Sequence, residues 1–414
     1  MADNNTKRIK ERTHVNAESI LITNIRVYAE EGTLEEGYVL VHDGTISKVG
    51  PLSEAPLQEP HQHTFVYSRE YALLPGMIDL HIHGAGGADT MDATKKALHT
   101  IAAQLPKEGT TSFLATTMTQ DTPVIERALA NVAAYRKQEN GPGEAEVLGV
   151  HLEGPFLSPQ RAGAQPADCM VDPNIDLFKR WQSIAGGAIR LVTIAPERPG
   201  GMALIAYLAR HGVIASVGHS DATYEQVTEG IRCGLSHVTH LFNGMRGLHH
   251  REPGVAGAAL VHPELLAELI VDGIHVHPQM VRLAYRQKGR EGLLLITDAM
   301  RAKCLGEGTY ELGGQEVTVR KGRALLADGT LAGSIVTMRD AVANTLRFTG
   351  CALEDIVHMT AKNPALQLDV FARKGSIAPG KDADLVVLDA DHKVVLTLCR
   401  GKIAYARDQN NNIG

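Results

Sequence analysis

Two histidines separated by one apolar residue, His81-Ile82-His83, are the first residues in this chain whose types and spacing suggest chemistry. They follow an apolar run that predicts a strand. Residues two apart on a strand point to the same side, so the two imidazoles would lie side by side while Ile82 packs the other way. Two neutral imidazoles at a strand end form half of a metal site. Taken alone, the pair fits equally well a histidine that caps the strand beside a solvated neighbour.

Four further polar residues stand at the ends of later predicted strands: Glu153, His219, His240 and Asp298. The carboxyl ends of strands converge on one face of a barrel, so four histidines and two carboxylates would meet there. That mixture of ligands suits zinc or iron rather than calcium or magnesium. Separately, His219 could cap the next helix and Asp298 could be an N-cap. Their joint placement favours a divalent metal ion, with His81 and His83 among its ligands.

The segment from residue 74 to 373 alternates apolar strand-like runs with helix-like runs. The eight predicted strands are 77–83, 110–117, 146–153, 189–194, 212–219, 237–241, 269–274 and 292–298. The helical patterns between and after them include 93–108, 122–138, 202–211, 223–233, 279–288, 338–348 and 352–360. Eight β-α repeats predict a (β/α)8 TIM barrel, with a doubly wound sheet as the alternative because strand order cannot be read from sequence. A glycine-studded β insertion at about 308–330 is expected to shape a pocket.

Both chain ends look all-β. Short β-branched runs precede the barrel, with a hairpin signal at His42-Asp43-Gly44, and similar runs follow it. Short strands need partners, so the ends are expected to join into one small β-sandwich domain. The predicted domains are therefore 17–73 plus 374–407 for the sandwich and 74–373 for the catalytic barrel. The first dozen residues and the last few (408–414) are expected to be disordered.

Composition excludes several classes of protein. The chain has 414 residues and a formal net charge of -6, which argues against a nucleic-acid partner. Its five cysteines are widely spaced and include no Cys-x-x-Cys pair, so they indicate free thiols in a reducing compartment. The polar start does not resemble a signal peptide, and no apolar run approaches a membrane span. These features predict a cytoplasmic protein without a membrane partner.

Several motifs carry a family resemblance. The histidine pair, Asp298 and the stretch Gly375–Leu388 resemble the amidohydrolase superfamily. Within it, the chain is similar to the N-acetylglucosamine-6-phosphate deacetylases in the motifs His151–Phe156, Gly218–Ser220, His240–Met245, Arg251–Gly254 and Leu331–Ser334. The resemblance extends from about Ser19 to Tyr405. It implies a barrel with a sandwich built from both termini, and removal of acetate from the 2-amino group of a phosphorylated amino sugar.

The resemblance also implies roles for individual residues. Glu153, His219 and His240 match metal ligands, and the presence of His81 and His83 implies a second metal ion with Glu153 bridging. Asp298 matches the catalytic acid/base, and His275 is expected to donate to the carbonyl oxygen or a sugar hydroxyl. The arginine of the family can serve the neighbouring subunit's site, which implies a homodimer. The substrate contacts map to Ala164, Gln165, Asn243, Gly244, Arg251, Asp272, Gly273, Ile274, His275, Leu331, Ala332 and Gly333.

Two positions depart from the pattern of the family. Gln165 stands where many members have a histidine, so an amide would contact the substrate. Gly244 stands where many have alanine, a small change if the contact is through the backbone. Another amidohydrolase, such as a cyclic amidase or a deaminase, is the enzymatic alternative, although such amidases bridge their metals with a modified lysine on the fourth strand. An inactive barrel with a role in assembly is the alternative of a different class.

Overall fold

The computed structural model describes residues 19–407, so both terminal segments expected to be disordered lie outside the described residues. The strands are β1 (Ser19–Ala29), β2 (Gly32–His42), β3 (Thr45–Pro51), β4 (His63–Val66), β5 (Ala72–Pro75), β6 (Met77–Ile82), β7 (Gly84–Ala85), β8 (Ala88–Asp89), β9 (Thr110–Thr116), β10 (Glu146–Glu153), β11 (Ile189–Ile194), β12 (Ile214–Val217), β13 (His237–Val238), β14 (Leu266–Ile270), β15 (Leu293–Ile296), β16 (Gly308–Leu312), β17 (Gln315–Arg320), β18 (Arg323–Leu325), β19 (Leu385–Leu388), β20 (Val394–Cys399) and β21 (Lys402–Ala406). The α-helices are α1 (Lys95–Gln104), α2 (Thr122–Gln138), α3 (Ile175–Ile184), α4 (Gly201–Arg210), α5 (Tyr224–Cys233), α6 (Gly254–Val261), α7 (Pro278–Lys288), α8 (Met338–Thr349), α9 (Leu353–Val357) and α10 (Asn363–Gln367).

Eight parallel strands form the barrel. Their order is β6-β9-β10-β11-β12-β13-β14-β15, so each strand pairs with the next along the chain. The last strand returns to the first, because the amide of Asp298 donates to the carbonyl of His81 at 2.8 Å and the amide of His83 donates to that of Ala299 at 2.9 Å. A doubly wound sheet would reverse strand order part-way, which this sheet does not. The predicted (β/α)8 barrel is therefore confirmed.

Local sequence explains where the helices begin and end. In α5 the side chain of Thr223 accepts from the amide of Gln226, and the side chain of Gln226 reaches back to the amide of Thr223. The helix ends at Gly234, whose φ of 108° lies in the left-handed region. By contrast, α6 was missing from the predicted set. Its residues are almost all buried and apolar, so it has no polar face to produce a helical period.

One barrel strand lies earlier in the chain than predicted. The seventh strand, β14, covers Leu266–Ile270 rather than 269–274. The prediction ran too far because Val271 and Ile274 extend the apolar pattern. The carboxylate of Asp272 ends it, since this group accepts from the amides of Ile274 and His275, both at 2.8 Å, and so folds the chain into a turn.

A second sheet combines strands from both chain ends. Its order is β21-β20-β19-β5-β1-β2-β3, with β4 paired to β1. Asp43 and Gly44 turn between β2 and β3 with φ values of 47° and 83°, as a tight hairpin requires. Buried side chains from both halves of the sheet form one shared core that includes Ile20, Ile22, Val39, Val41, Val387 and Leu396. The predicted all-β unit made from both ends is confirmed.

Charged side chains, some buried and some half-buried, join this sheet to the barrel. Arg373 donates to both carboxylate oxygens of Glu146, at 2.8 and 3.0 Å, where β10 begins. The ammonium of Lys374 also lies 2.8 Å from Glu146 and contacts Asp384 next to β19. These cations hold the pKa of Glu146 at about 2 although burial alone would raise it.

The insertion after the eighth barrel strand is a three-stranded antiparallel sheet, β16-β17-β18. Its apolar face packs on the top of the barrel through Leu312, Val317 and Val319, which cluster with Met118 and Met300. Two side-chain amides fasten it there. Gln315 donates to the carbonyl of Ala164 and Gln120 donates to that of Gly313, both at 2.6 Å. Within residues 19–407, no helix has both the length and the apolar character needed to span a membrane.

Candidate active site

A cleft opens at the carboxyl ends of the barrel strands. Its volume is about 670 Å³ including the solvent-open mouth, within the range of small-molecule sites. The insertion contributes Leu312 to one wall, and Met118 lies beside it. The other lining residues are His83, Glu153, Gly163, Ala164, Gln165, His219, His240, Asn243, Gly244, His275, Asp298, Thr330, Leu331 and Gly333.

Glu153, His219 and His240, here named the Glu153 group, bring three ligand atoms together. The Nε2 atoms of the two histidines are 3.0 Å apart, and each lies 3.2 Å from Oε1 of Glu153. The other ring nitrogen of His219 lies 2.9 Å from the carbonyl of Arg161, which fixes it as the protonated one and leaves Nε2 with its lone pair. Two imidazole nitrogens that face each other and one carboxylate oxygen are satisfied together by a shared cation.

His81, His83 and Asp298, here named the His81 group, form a second convergence beside the first. Oδ1 of Asp298 lies 3.4 Å from Nε2 of His81 and 3.3 Å from Nε2 of His83. The second oxygen of Glu153, Oε2, lies 3.4 and 3.2 Å from the same two nitrogens. Glu153 therefore faces the Glu153 group with one oxygen and the His81 group with the other, which is the geometry of a bridging carboxylate.

Electrostatics also fit a cation in this place. Burial lowers the pKa of His83, but hydrogen bonds and charge from Asp298 and Glu153 raise it to about 9. Burial lowers the pKa of His81 too, and the charges of Glu153, Asp298 and Glu268 raise it well above its usual value. The carboxylates thus create a field that favours positive charge at the histidine nitrogens. A divalent ion bound there would replace those protons.

The backbone is strained at three of these residues. His219, His240 and Asp298 have φ values of 45°, 31° and 46°. Residues with side chains seldom adopt this left-handed region, which costs on the order of 1–3 kcal/mol each. The three residues each follow a barrel strand, and the tight turn swings their side chains over the barrel mouth. Such strain persists only where the surrounding structure imposes it, and it clusters at functional sites.

His275 reaches the cleft with a fixed orientation. Its Nδ1 lies 2.6 Å from Oδ2 of Asp272, so Nδ1 donates to this carboxylate. Burial lowers the pKa of His275, and the hydrogen bond and charge of Asp272 more than compensate, leaving the pKa above its usual value. The raised pKa favours a proton on Nε2 as well, which makes that nitrogen a hydrogen-bond donor.

Gln165, predicted as a substrate contact, also touches the candidate metal ligands. Its amide nitrogen donates to Oε2 of Glu153 at 2.9 Å, while its amide oxygen accepts from the amide of Thr119 at 2.8 Å. The backbone bond fixes which end of the amide faces Glu153. Gln165 therefore steadies the shared carboxylate in addition to lining the cleft.

The structure brings some predicted substrate contacts into the cleft and leaves others outside it. Those lining it are Ala164, Gln165, Asn243, Gly244, His275, Leu331 and Gly333, whereas Asp272, Gly273, Ile274, Ala332 and Arg251 do not. Arg251 lies on an exposed loop with its guanidinium 2.8 Å from Nε2 of His250. Glu252, the acidic residue next to it in the chain, pairs with Arg246. Among the described residues, no lysine or arginine lines the cleft.

Two buried carboxylates beneath the cleft were missing from the predicted site. Asp79 accepts from the amide of His81 at 3.2 Å and from the hydroxyl of Thr297 at 2.6 Å, linking the first barrel strand to the eighth. Glu268 lies 3.0 Å from Nδ1 of His81. A signal for Glu268 existed, because it is the one charged residue in the apolar run Leu266–Ile270. Placing the seventh strand three residues late hid that signal.

Known proteins resemble this chain over most of its length. The sequence profile of the amidohydrolase family matches residues 72–406. An N-acetylglucosamine-6-phosphate deacetylase of Bacillus subtilis (strain 168) is 49% identical over 398 residues, covering 96% of this chain and 100% of the relative. The chain belongs to the amidohydrolase family, among its N-acetylglucosamine-6-phosphate deacetylases. The family is metal-dependent, and the two clusters described above supply groups that could hold a metal.

Other relatives agree in sequence and in fold. An N-acetylgalactosamine-6-phosphate deacetylase of Escherichia coli O157:H7 is 37% identical, covering 92% of this chain and 97% of the relative. A variant N-acetyl-D-glucosamine-6-phosphate deacetylase of Mycobacterium smegmatis, solved in complex with N-acetyl-D-glucosamine-6-phosphate, superposes with a TM-score of 0.87 at 33% identity. The match covers 94% of this chain and 100% of that one.

Proposed function

We propose that this protein hydrolyses the acetamide of N-acetyl-D-glucosamine 6-phosphate to D-glucosamine 6-phosphate and acetate, in amino-sugar catabolism or recycling. The observation that carries the proposal is Glu153, whose two oxygens each face one cluster of histidines at the floor of a sugar-sized cleft. Relatives that match nearly the whole chain and carry this activity in their names support the choice of substrate.

One or two divalent metal ions per subunit, zinc or iron, would be held by the Glu153 group and the His81 group. The mixture of imidazole nitrogen and carboxylate oxygen in both groups favours these metals over calcium or magnesium. When bound, such an ion supplies Lewis acidity, which polarises a carbonyl and lowers the pKa of water. The remaining steps belong to side chains of this protein.

Asp298 is the proposed acid/base. In the metal-free protein the charges of His81 and His83 hold the pKa of Asp298 below its usual value despite burial, and a bound divalent ion would supply positive charge in their place. An ionised carboxylate can accept the proton of the attacking water and then deliver it to the departing nitrogen, since an amide anion does not leave unprotonated. His275 is oriented by Asp272, and its raised pKa favours a second proton on Nε2, from which it would donate to the oxygen on which negative charge develops or to a sugar hydroxyl.

The phosphate requires a cation, and within residues 19–407 no lysine or arginine lines the cleft. We propose that the protein is a homodimer in which Arg251 reaches the neighbouring subunit's site. Its exposed loop supports this role, as does Leu248, which is 53% exposed three residues earlier and offers apolar surface to a partner. A guanidinium matches phosphate oxygens in bidentate fashion.

Substitution of Arg251 tests its phosphate role, and sedimentation tests the dimer. Arg251→Ala should raise the KM for the phosphorylated sugar far more than the KM for N-acetylglucosamine, while Arg246→Ala, a change to a paired arginine near it, is the control. Equal effects of Arg251→Ala on both sugars would contradict a phosphate role. Sedimentation of the wild-type protein as a monomer would contradict the dimer.

The proposal also covers the domain boundaries, the cellular location and the partners of the protein. Residues 17–73 with 374–407 and residues 74–373 are proposed as the two domains, supported by the separate sheets to which their strands belong. A cytoplasmic location is proposed because all five cysteines are free thiols, which fits a reducing compartment. A phosphorylated sugar substrate is the proposed partner, with no role for nucleic acid or a membrane.

The deciding experiment measures acetate release and metal content on the same preparation. We expect acetate release from N-acetylglucosamine 6-phosphate to be faster than from N-acetylgalactosamine 6-phosphate. Chelation of the metal should abolish it. Activity only on cyclic amides or on amino-purine-like substrates would favour another amidohydrolase, whose fold is similar. A metal-loaded protein with no activity on any of them would favour the assembly role.

A further inference from the structure

The carboxylate of Glu268 lies inside the barrel, below the cleft, in a place where charge is expensive. Its strand, β14, is otherwise apolar, and the side chain is fully buried. Among the described residues, its ion-pair partners are two histidines and no lysine or arginine. A buried carboxylate without a permanent cation costs several kcal/mol unless hydrogen bonds compensate for lost water. The hydrogen bonds that Glu268 accepts therefore indicate why a carboxylate is kept in this position.

Three donors surround this carboxylate. Its Oε2 lies 3.0 Å from Nδ1 of His81 and accepts from the backbone amide of His240, also at 3.0 Å. Its Oε1 lies 3.1 Å from Nε2 of His237. One oxygen thus contacts a member of the His81 group and a member of the Glu153 group, which come from strands at different positions around the barrel.

The two contacts on Oε2 constrain the two histidines in different ways. For His81, a proton donated from Nδ1 leaves Nε2 with a lone pair, and Nε2 is the nitrogen that faces Glu153 and Asp298. For His240, the bond holds a backbone amide at a residue whose φ is 31°, a conformation that needs an outside constraint. Glu268 therefore fixes the ring of one and the backbone of the other.

We propose that Glu268 is a positioning residue that sets the tautomer of His81 and the backbone of His240, and so couples the two metal-ligand groups through one carboxylate. The inference rests on the proposed metal centre. A hydrogen bond from a carboxylate to a metal-binding imidazole orients the ring and raises its basicity, and loss of such a bond typically weakens metal binding by about 10- to 100-fold.

Two substitutions separate the orientation from the charge. Glu268→Ala removes both anchors, so every zinc equivalent that the wild-type protein binds should weaken by about 10- to 100-fold. Glu268→Gln removes only the charge, because the amide oxygen can still accept from His81 and His240. Its NH2 group can donate to Nε2 of His237 if the ring proton moves to Nδ1, an atom that has no hydrogen-bond partner to lose. Glu268→Gln should therefore restore most of the affinity lost in Glu268→Ala.

His237→Gln is the matched control. It changes a buried neighbour that contacts the other oxygen of the same carboxylate and belongs to neither ligand group. Zinc affinity, measured by competition with a chromophoric chelator, should stay at the wild-type value in this variant. Circular dichroism and the melting temperature of each metal-free variant show whether it is folded.

A measurement on the wild-type protein keeps the inference testable if the alanine variant does not fold. In ¹⁵N-histidine NMR spectra of the zinc-loaded protein, His81 should be protonated at Nδ1 and bound through Nε2. The opposite tautomer, or wild-type zinc affinity in folded Glu268→Ala, would overturn the role of Glu268 alone. A wild-type protein that binds no metal would overturn the metal centre and this inference with it.

Discussion

Replacing Asp298 by asparagine is the change that most directly tests the proposed chemistry. Asparagine has the same shape and tolerates the left-handed backbone that this residue adopts at a φ of 46°. The main chain at this position is held on both sides, because its amide donates to His81 at 2.8 Å and its carbonyl accepts from Ser334 at 2.7 Å. The fold should therefore survive the substitution, while the ability to carry a proton and the negative charge facing His81 and His83 are lost.

The size of the effect follows from the role. General acid–base catalysis typically contributes about 10²–10⁴-fold, and each factor of ten corresponds to about 1.36 kcal/mol, so the barrier should rise by about 3–5 kcal/mol. Both kcat and kcat/KM should fall by this factor, because an amide cannot accept the proton of water. The Glu153 group does not include Asp298, so at least the metal bound there should remain.

The assay pairs acetate release with metal analysis of the same sample. Asp89→Asn is the matched control, because Asp89 is another buried carboxylate whose charge acts on His83 but which does not line the cleft. Asparagine can also keep its N-cap bond to Met91. That variant should turn over substrate at a rate close to wild type. Near-normal turnover in Asp298→Asn would refute the acid/base role, and loss of all bound metal would reassign Asp298 as a ligand first.

Two further predictions concern the parts that surround the site. Removing both amides that fasten the insertion, in the double variant Gln120→Ala/Gln315→Ala, should cost about 1 kcal/mol per bond. The KM should therefore rise up to about 30-fold with little change in kcat, and an unchanged KM would show that the apolar face and the bonds from Arg301 to Glu311 hold the insertion without the two amides. For Glu146, folded and unfolded pKa values of about 2 and 4.5 imply about 3 kcal/mol of stability that is present above pH 4.5 and lost as the pH falls towards 2. Denaturant unfolding should therefore find Glu146→Gln less stable than wild type at pH 7 by about that amount and equal to it near pH 2; a difference independent of pH would contradict the cited pKa.

Sequence alone predicted the barrel well because its strands repeat a simple pattern. Glu146–Glu153 and Ile189–Ile194 coincide with their predictions at both ends, since polar or glycine-rich turns bound them. Prediction failed where the sequence carries no periodic pattern that marks the element. The turn after Ile270 depends on the side chain of Asp272, and α6 is apolar on every side, so neither leaves a periodic signal.

In the candidate site, too, some features could be predicted from the sequence and others could not. The convergence of its candidate ligands could be predicted because chemically distinctive residues stand at strand ends, and strand ends share one face of a barrel. What could not be predicted is how side chains hold one another. The bond from Gln165 to Glu153 and the bonds of Glu268 join residues 12, 187 and 28 positions apart, so they depend on the tertiary structure. The proposed contact of Arg251 with a neighbouring subunit would depend on a second chain, which a single sequence does not describe.

The geometry also resolves an apparent conflict in the role of Asp298. The same residue is a candidate ligand in the His81 group and the proposed acid/base, and a carboxylate fully engaged by a metal is a poor base. Both contacts with His81 and His83 are made by Oδ1, however, so the ligand role falls on one oxygen. Oδ2 then remains to accept and return a proton. Occupancy of the His81 group should therefore tune the basicity of Asp298 without abolishing it, and the one-metal and two-metal forms should differ in the pH at which turnover begins rather than in whether it occurs.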